Sequence, residues 1–212
     1  MRIWLRIVTM GVALAAGPVW AADRALVLGN ENYGDAADIS GARGLRGAAQ
    51  TLTAAGFQVL SGADIDTDRM RALLSDLLSK VQTQDRLVIV LAGHFAQSAG
   101  QTWFLGVEAS QPDLVTVGAV GVNVASVLEL AARLPGGAVV LLGSESRRLP
   151  LGAGLQPGIG ALAVPQGVTL IRGDAGRIVD FAARQLTERG ASLPVLLSAA
   201  PDLVASGFLA PD

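Results

Sequence analysis

The chain has 212 residues, 51% hydrophobic and 16% charged, with one His, one Lys and no Cys; that is enough for one domain to close a core unaided and too apolar for disorder. The absence of Cys excludes disulfides, thiolate zinc sites and a thiolate nucleophile, and a lone His excludes a multi-His metal centre. A net charge of −2, with arginines and acids dispersed along the chain, offers no basic patch for nucleic acid.

Residues 1–21 have the layout of a secretory signal peptide. Arg2 and Arg6 form a positive start, Ile7 to Ala16 an apolar run, and Val19-Trp20-Ala21 a small-x-small motif that predicts cleavage before Ala22. The run falls short of the about 20 apolar residues of a membrane span, so none is expected after cleavage. A secreted or periplasmic location follows, and with it an oxidising compartment.

Arg24 to Gly29 is a short apolar run that predicts a buried strand, followed by a polar loop from Glu31 to Ser40. A helix is predicted from Gly41, with Leu45, Ala48, Ala49 and Leu52 on one face and a stop at Gly56, then a strand over Phe57 to Leu60. Asp64, Asp66 and Asp68 alternate like calcium ligands. An EF-hand loop counted from Asp64 needs Gly and Glu where Arg69 and Ser75 stand, so a helix start capped by Asp66 or Thr67 is the reading. Met70, Leu73, Leu74, Leu77 and Leu78 carry that helix at core-packing spacing.

Arg86 to Ala92 has no polar residue after its first and predicts a central strand covered on both faces, ending at Gly93-His94. A loop over Gln97 to Gln101, a strand over Thr102 to Val107 and a helix over Val122 to Leu134 follow. Ala138 to Leu142 is a second unrelieved strand, ending in Gly143-Ser-Glu-Ser-Arg-Arg148. Leu151 to Gly160 is a Gly/Pro-rich loop without the Lys-Ser/Thr of a phosphate loop. A strand at Val168 to Ile171, a helix over Ala175 to Arg189 and a short element over Ser192 to Ala200 complete the chain. This alternation predicts a mainly parallel α/β sheet, whose sites lie beyond the carboxyl ends of the strands, where His94 and residues 144–148 stand.

Three segments resemble the caspase-like fold of clan CD cysteine peptidases, in its bacterial metacaspase-type branch (peptidase C14). Arg24-Ala-Leu-Val-Leu-Gly-Asn-Glu-Asn-Tyr33 is similar to the opening strand and Gly-Asn-x-x-Tyr loop. Leu87 to His94 is similar to the strand that delivers the catalytic His, with Thr102 to Val107 in the place of the next strand. Val139 to Leu142 is similar to the strand that ends in the nucleophile motif Asp-Ala-Cys-Arg. The resemblance implies a three-layer sandwich, with a large-subunit part over 22–150 and a reduced small-subunit region over 151–212.

The resemblance also implies a site, and most of it is altered. His94 is retained, but Glu145 stands at the Cys position, or Ser146 if one residue is inserted before Pro150. Gly143 replaces the Asp of that motif, Gly44 the helix-one Asp of the P1 pocket, and Phe95 the Gly after His, which keeps the N–H but sets a bulky side chain beside the oxyanion position that the resemblance implies. A carboxylate cannot take the thiolate's part in acyl transfer. The expectation is an inactive, exported caspase-like protein without metal or cofactor, acting by peptide or protein binding. The alternatives are a hydrolase using Ser144 or Ser146 with His94 as base, and a structural envelope protein.

The plain readings of these residues are simpler. His94 hydrogen-bonds a neighbouring loop, Ser144 to Ser146 is a solvated turn, Arg147 and Arg148 pair with Glu145 or face an anion, and Trp103 and Phe104 pack in the core.

Overall fold

A computed structural model of the protein describes residues 21–186 and 192–209. The signal segment, up to residue 20, and the predicted helix end at Arg189 lie outside the described residues. Three apolar runs form the centre: β1 (Asp23–Gly29), β3 (Arg86–Ala92) and β7 (Ala138–Ser144). Side chains alternate along a strand, so each run serves two cores. Ala25, Val27, Val88, Val90 and Leu141 face one layer; Leu26, Leu28, Leu87, Ile89, Leu91, Val140 and Leu142 face the other.

The first layer is covered by α1 (Leu45–Ala54), α4 (Ala175–Asp180) and α5 (Leu193–Ser198), and the second by α2 (Thr67–Lys80) and α3 (Val124–Ala131). With β2 (Gln58–Ala63), β9 (Val168–Asp174) and β10 (Val204–Gly207) the sheet has six strands in the order β10-β9-β7-β3-β1-β2. All neighbours are parallel except the antiparallel pair β9 and β10. Residues before and after 150 therefore share one sheet, in a mainly parallel three-layer α/β sandwich.

A second, antiparallel sheet projects from the carboxyl edge, where the sequence predicts a loop and one strand. It contains β4 (Phe95–Ser98), β5 (Gln101–Leu105), β6 (Gly121–Asn123) and β8 (Gln156–Pro157), in the order β6-β5-β4-β8. The β4–β5 hairpin turns through Ala99 and Gly100, both at positive φ (44° and 82°), as a two-residue hairpin turn requires. Helix starts follow their caps: Asp66 accepts from the Arg69 amide at 2.8 Å, Asn123 from Ala125 at 2.8 Å and Asp174 from Gly176 at 3.0 Å. Val122, predicted helical, therefore lies in β6 ahead of its cap. The helix predicted from Gly41 begins as a 3₁₀ turn over Ser40–Gly44, and the one begun at Ala175 widens into a π-helical turn over Phe181–Gln185. No described helix is long and apolar enough to cross a membrane.

Candidate functional site

His94 follows the carboxyl end of β3 and is 3% exposed. Its backbone is fixed on both sides: its N–H donates to the Tyr33 hydroxyl at 2.9 Å, and its carbonyl accepts from the Leu105 N–H at 3.0 Å. The Tyr33 ring packs edge-on against the imidazole with centroids 4.7 Å apart. Asn30, fully buried at the end of β1, ties neighbouring loops together. Its amide donates to the Leu105 carbonyl at 3.0 Å and the Ile65 carbonyl at 3.2 Å, and it accepts from the Ile65 N–H at 3.0 Å. Asn30 and Tyr33 are visible in the sequence as parts of a motif. Their task, holding the His94 loop, comes from the geometry.

The imidazole Nε2 lies 2.7 Å from the Ala37 carbonyl oxygen. A carbonyl only accepts, so Nε2 carries the proton and Nδ1 keeps the lone pair of the neutral ring. Burial pushes the His94 pKa below its ordinary value; the Ala37 carbonyl and the Glu145 charge oppose this without reversing it. At neutral pH the ring is uncharged.

Glu145 follows the last residue of β7, and its side chain is 10% exposed. One carboxylate oxygen accepts the Gly41 N–H at 2.5 Å, and the other accepts from Arg147 Nε at 3.0 Å. Gly41 belongs to the 3₁₀ turn, which lies against the start of α4. A Cβ on Gly41 would fall 2.3 Å from the Gly176 nitrogen, and one on Gly143 would fall 2.8 Å from the Ala175 Cα. Gly143, the position that the resemblance assigns to the motif Asp, is thus filled by close packing on the start of α4. At Gly44 a Cβ would meet Val179 at 3.0 Å.

Ala37 stands between the two halves of the site. Its carbonyl accepts from His94, while its N–H donates to the Arg148 carbonyl at 2.9 Å. Arg148 also donates to the Asp35 carbonyl at 3.1 Å, so of the two arginines only Arg147 pairs with Glu145. Ser144 is half-buried at the end of β7 and Ser146 is exposed. Among the described residues no hydrogen bond joins either hydroxyl to His94. The structure brings His94 and Glu145 into one electrostatic neighbourhood, and His94 spends its Nε2 proton on Ala37.

Phe95 requires a correction. The resemblance puts its ring beside the oxyanion position, whereas the ring is buried against Phe104, 5.1 Å between centroids, in the core under α2 and α3. Consecutive residues of an extended segment point to opposite faces, so Phe95 turns away from the side on which His94 meets Tyr33. Trp103 and Phe104 are buried. Among the described residues no group of three or more acids and His that could hold a metal ion is present. Asp64 and Asp66 serve separate ends: Asp66 caps α2, while Asp64 accepts from the Glu31 and Asn32 amides at 2.7 and 2.9 Å. A groove of about 690 Å³ runs between α1 and the edge strand β2, lined in part by Leu45, Arg46, Ala49, Val59 and Ser61.

Comparison with known proteins agrees with this architecture. The family model described as the caspase domain matches residues 22–136, more than half of the chain. The crystal structure of the Drosophila initiator caspase Dronc is similar in fold, with a TM-score of 0.56 at 15% sequence identity, over 84% of this chain and 70% of that one. Among curated proteins no sequence matches.

Proposed function

Because the chain belongs to the caspase-domain family, and lacks any cysteine, we propose that it is an exported pseudopeptidase of that family, which binds a peptide or protein and does not cut it. The observation that carries this reading is Glu145. At the position that the ungapped resemblance gives to the thiolate stands an acceptor-only carboxylate, held by Gly41 and Arg147. Acyl transfer needs a nucleophile whose proton passes to an aligned base, and the serines beside Glu145 have no hydrogen bond to His94. Export is supported by the signal layout of residues 1–21.

Binding is supported by the sheet edge. Among the described residues no strand pairs with the outer side of β2, and the groove beside it supplies apolar and basic lining. The Asp64 N–H turns inward to Gly29, so the backbone alternation points the N–H groups of Val59 and Ser61 outward, available to an added strand.

The test joins catalysis and binding. The chain starting at Ala22 should neither turn over Arg- or Lys-P1 peptides nor react with a fluorophosphonate probe. Labelling lost on Ser144→Ala or Ser146→Ala would replace this reading with a serine hydrolase. A peptide library panned on the chain should select extended sequences whose binding Ser61→Pro abolishes, since Pro removes an outward donor and is tolerated on an edge strand. No selection, together with no specific partner in periplasmic extract, would favour a structural envelope protein.

A further inference from the structure

The amino end of the sheet carries a second built site, far along the strands from His94. Asp85 precedes β3, and its side chain is 1% exposed. Among the described residues it is the one buried carboxylate. Three donors converge on it: the Ala22 N–H at 2.8 Å on one oxygen, and Arg24 Nε at 2.6 Å and the Gln82 N–H at 2.9 Å on the other. Ala22 is also held from behind, its carbonyl accepting the Arg86 N–H at 3.0 Å. Burial pushes the Asp85 pKa up, but Arg24 and the two amides more than reverse this, so the group stays ionised.

The residue whose nitrogen meets this buried carboxylate is the one that the small-x-small motif makes the first residue of the processed chain. Ala21 is exposed and Ala22 only half-buried, so the bond between them lies where the buried strand begins. We propose that Asp85 is the receptor for a newly made chain end: hydrolysis of the Ala21–Ala22 bond gives Ala22 an α-ammonium that forms an ion pair with Asp85 and ties maturation to the stability of the sheet. Water supplies the atoms. The amide C–N bond breaks, Ala21 leaves as a carboxylate, and Ala22 keeps its nitrogen as –NH₃⁺ at neutral pH. The hydrolysis is carried out by an export peptidase selective for small residues, before the strand is buried.

The other charges near this end leave room for the ammonium. Arg24 shares the Asp85 carboxylate, and its second arm donates to Gln58 at 2.8 Å. Arg86 is occupied by Asp23 in a two-pronged pair at 2.6 and 2.7 Å. Among the described residues, one Asp85 oxygen accepts only from Ala22, and there a charge-assisted bond would replace an amide bond.

The cleavage position rests on the export reading, but the ion pair is tested without it. A chain beginning at Ala22 is compared with one carrying a single extra Gly in front, which restores the amide at Ala22 and moves the ammonium outward. In the first chain the α-amino pKa, read by NMR, should lie above the ordinary 7.7–8.0 range, with proton binding at least about threefold tighter. The sign follows from linkage: a raised folded-state pKa stabilises fully below the unfolded value and the gain is lost as pH rises through the folded value. The Ala22 chain should therefore melt higher than the Gly-extended chain at pH 6–7, and the two melting curves should converge in alkali. Asp85→Asn should return the α-amino pKa to its ordinary range; if that variant does not fold, the Gly-extended chain carries the comparison. An unshifted α-amino pKa, or equal melting at every pH, overturns the ion pair. Amino-terminal sequencing of the exported chain should begin at Ala22. Another first residue overturns the link to maturation while leaving the binding reading intact, and an intact leader on unexported protein overturns the export reading itself.

Discussion

The two halves of the candidate site differ in how they are held. On the His94 side, the residues that the family resemblance quotes are present and fully bonded: Asn30, Tyr33 and the His94 backbone form one closed set of hydrogen bonds with β5. On the Glu145 side the motif residues are replaced, and their space is taken by the 3₁₀ turn and α4. The difference shows which part of the site the fold itself needs. The His94 loop joins the two sheets, so releasing it would leave buried polar groups unpaired. The loop after β7 is held instead by the Glu145 carboxylate on Gly41 and by close packing of Gly143 on α4.

That contrast can be broken by restoring the family residue on the altered side. Gly143→Asp puts a Cβ 2.8 Å from the Ala175 Cα and a charge between β7 and α4. Overpacking and an unpaired buried charge together should cost about 4 kcal/mol or more, read by urea denaturation. Full stability in that variant would show that the site has room for the Asp that the resemblance implies there. On the His94 side, Tyr33→Ala should cost about 3–4 kcal/mol, because a buried ring and the acceptor for the His94 N–H go together. Tyr33→Phe keeps the ring and should cost about 1–2 kcal/mol. If both Tyr33 variants were neutral, the two halves would not differ in structural weight.

Glu145→Cys sharpens the comparison at the chemistry itself. The thiol would sit beside Gly41 without the Asp of the motif, while Ala37 occupies the Nε2 proton of His94. No turnover of Arg- or Lys-P1 peptides is expected, and stability should fall by about 1–2 kcal/mol as the charged hydrogen bond to the Gly41 amide is lost. Cleavage by this single variant would mean that only the nucleophile had been lost.

The sheet was legible in the sequence because β1, β3 and β7 are unrelieved apolar runs, and a strand buried on both faces leaves that mark and no other. Asp66 as a cap was legible for the same local reason. The β4–β5 hairpin was not, since its turn is Ala99-Gly100 and carries a weaker signal than Asn-Gly, although both residues have positive φ. The start of α3 could have been found from Asn123, whose cap outweighs the helical spacing of Val122. At the site, His94 and Glu145 could be placed from strand ends. Ala37 could not, because it acts through its backbone, and backbone contacts between loops leave no trace in residue type. Phe95 was misjudged for a related reason: one residue's step along an extended chain reverses the face, and only the pairing with Phe104 fixes which face is which.

The smallest effect separates the two halves electrostatically. The chain has one His, so its imidazole resonances report a single group. Burial lowers the His94 pKa, and Glu145 works against that shift. In the unfolded chain the ring titrates near the ordinary value of about 6.5, so between that pH and the lower folded value the unfolded state holds more protons. Stability should therefore decline as pH falls below about 6.5 and stop declining, for this group, once the folded ring is protonated. Glu145→Gln removes the opposing charge, so the imidazole titration should move further down and the acid-side decline should extend to lower pH. Glu145→Gln also keeps an acceptor for Gly41, which separates charge from hydrogen bonding. An imidazole pKa unchanged in Glu145→Gln would mean that the two halves of the site no longer sense one another.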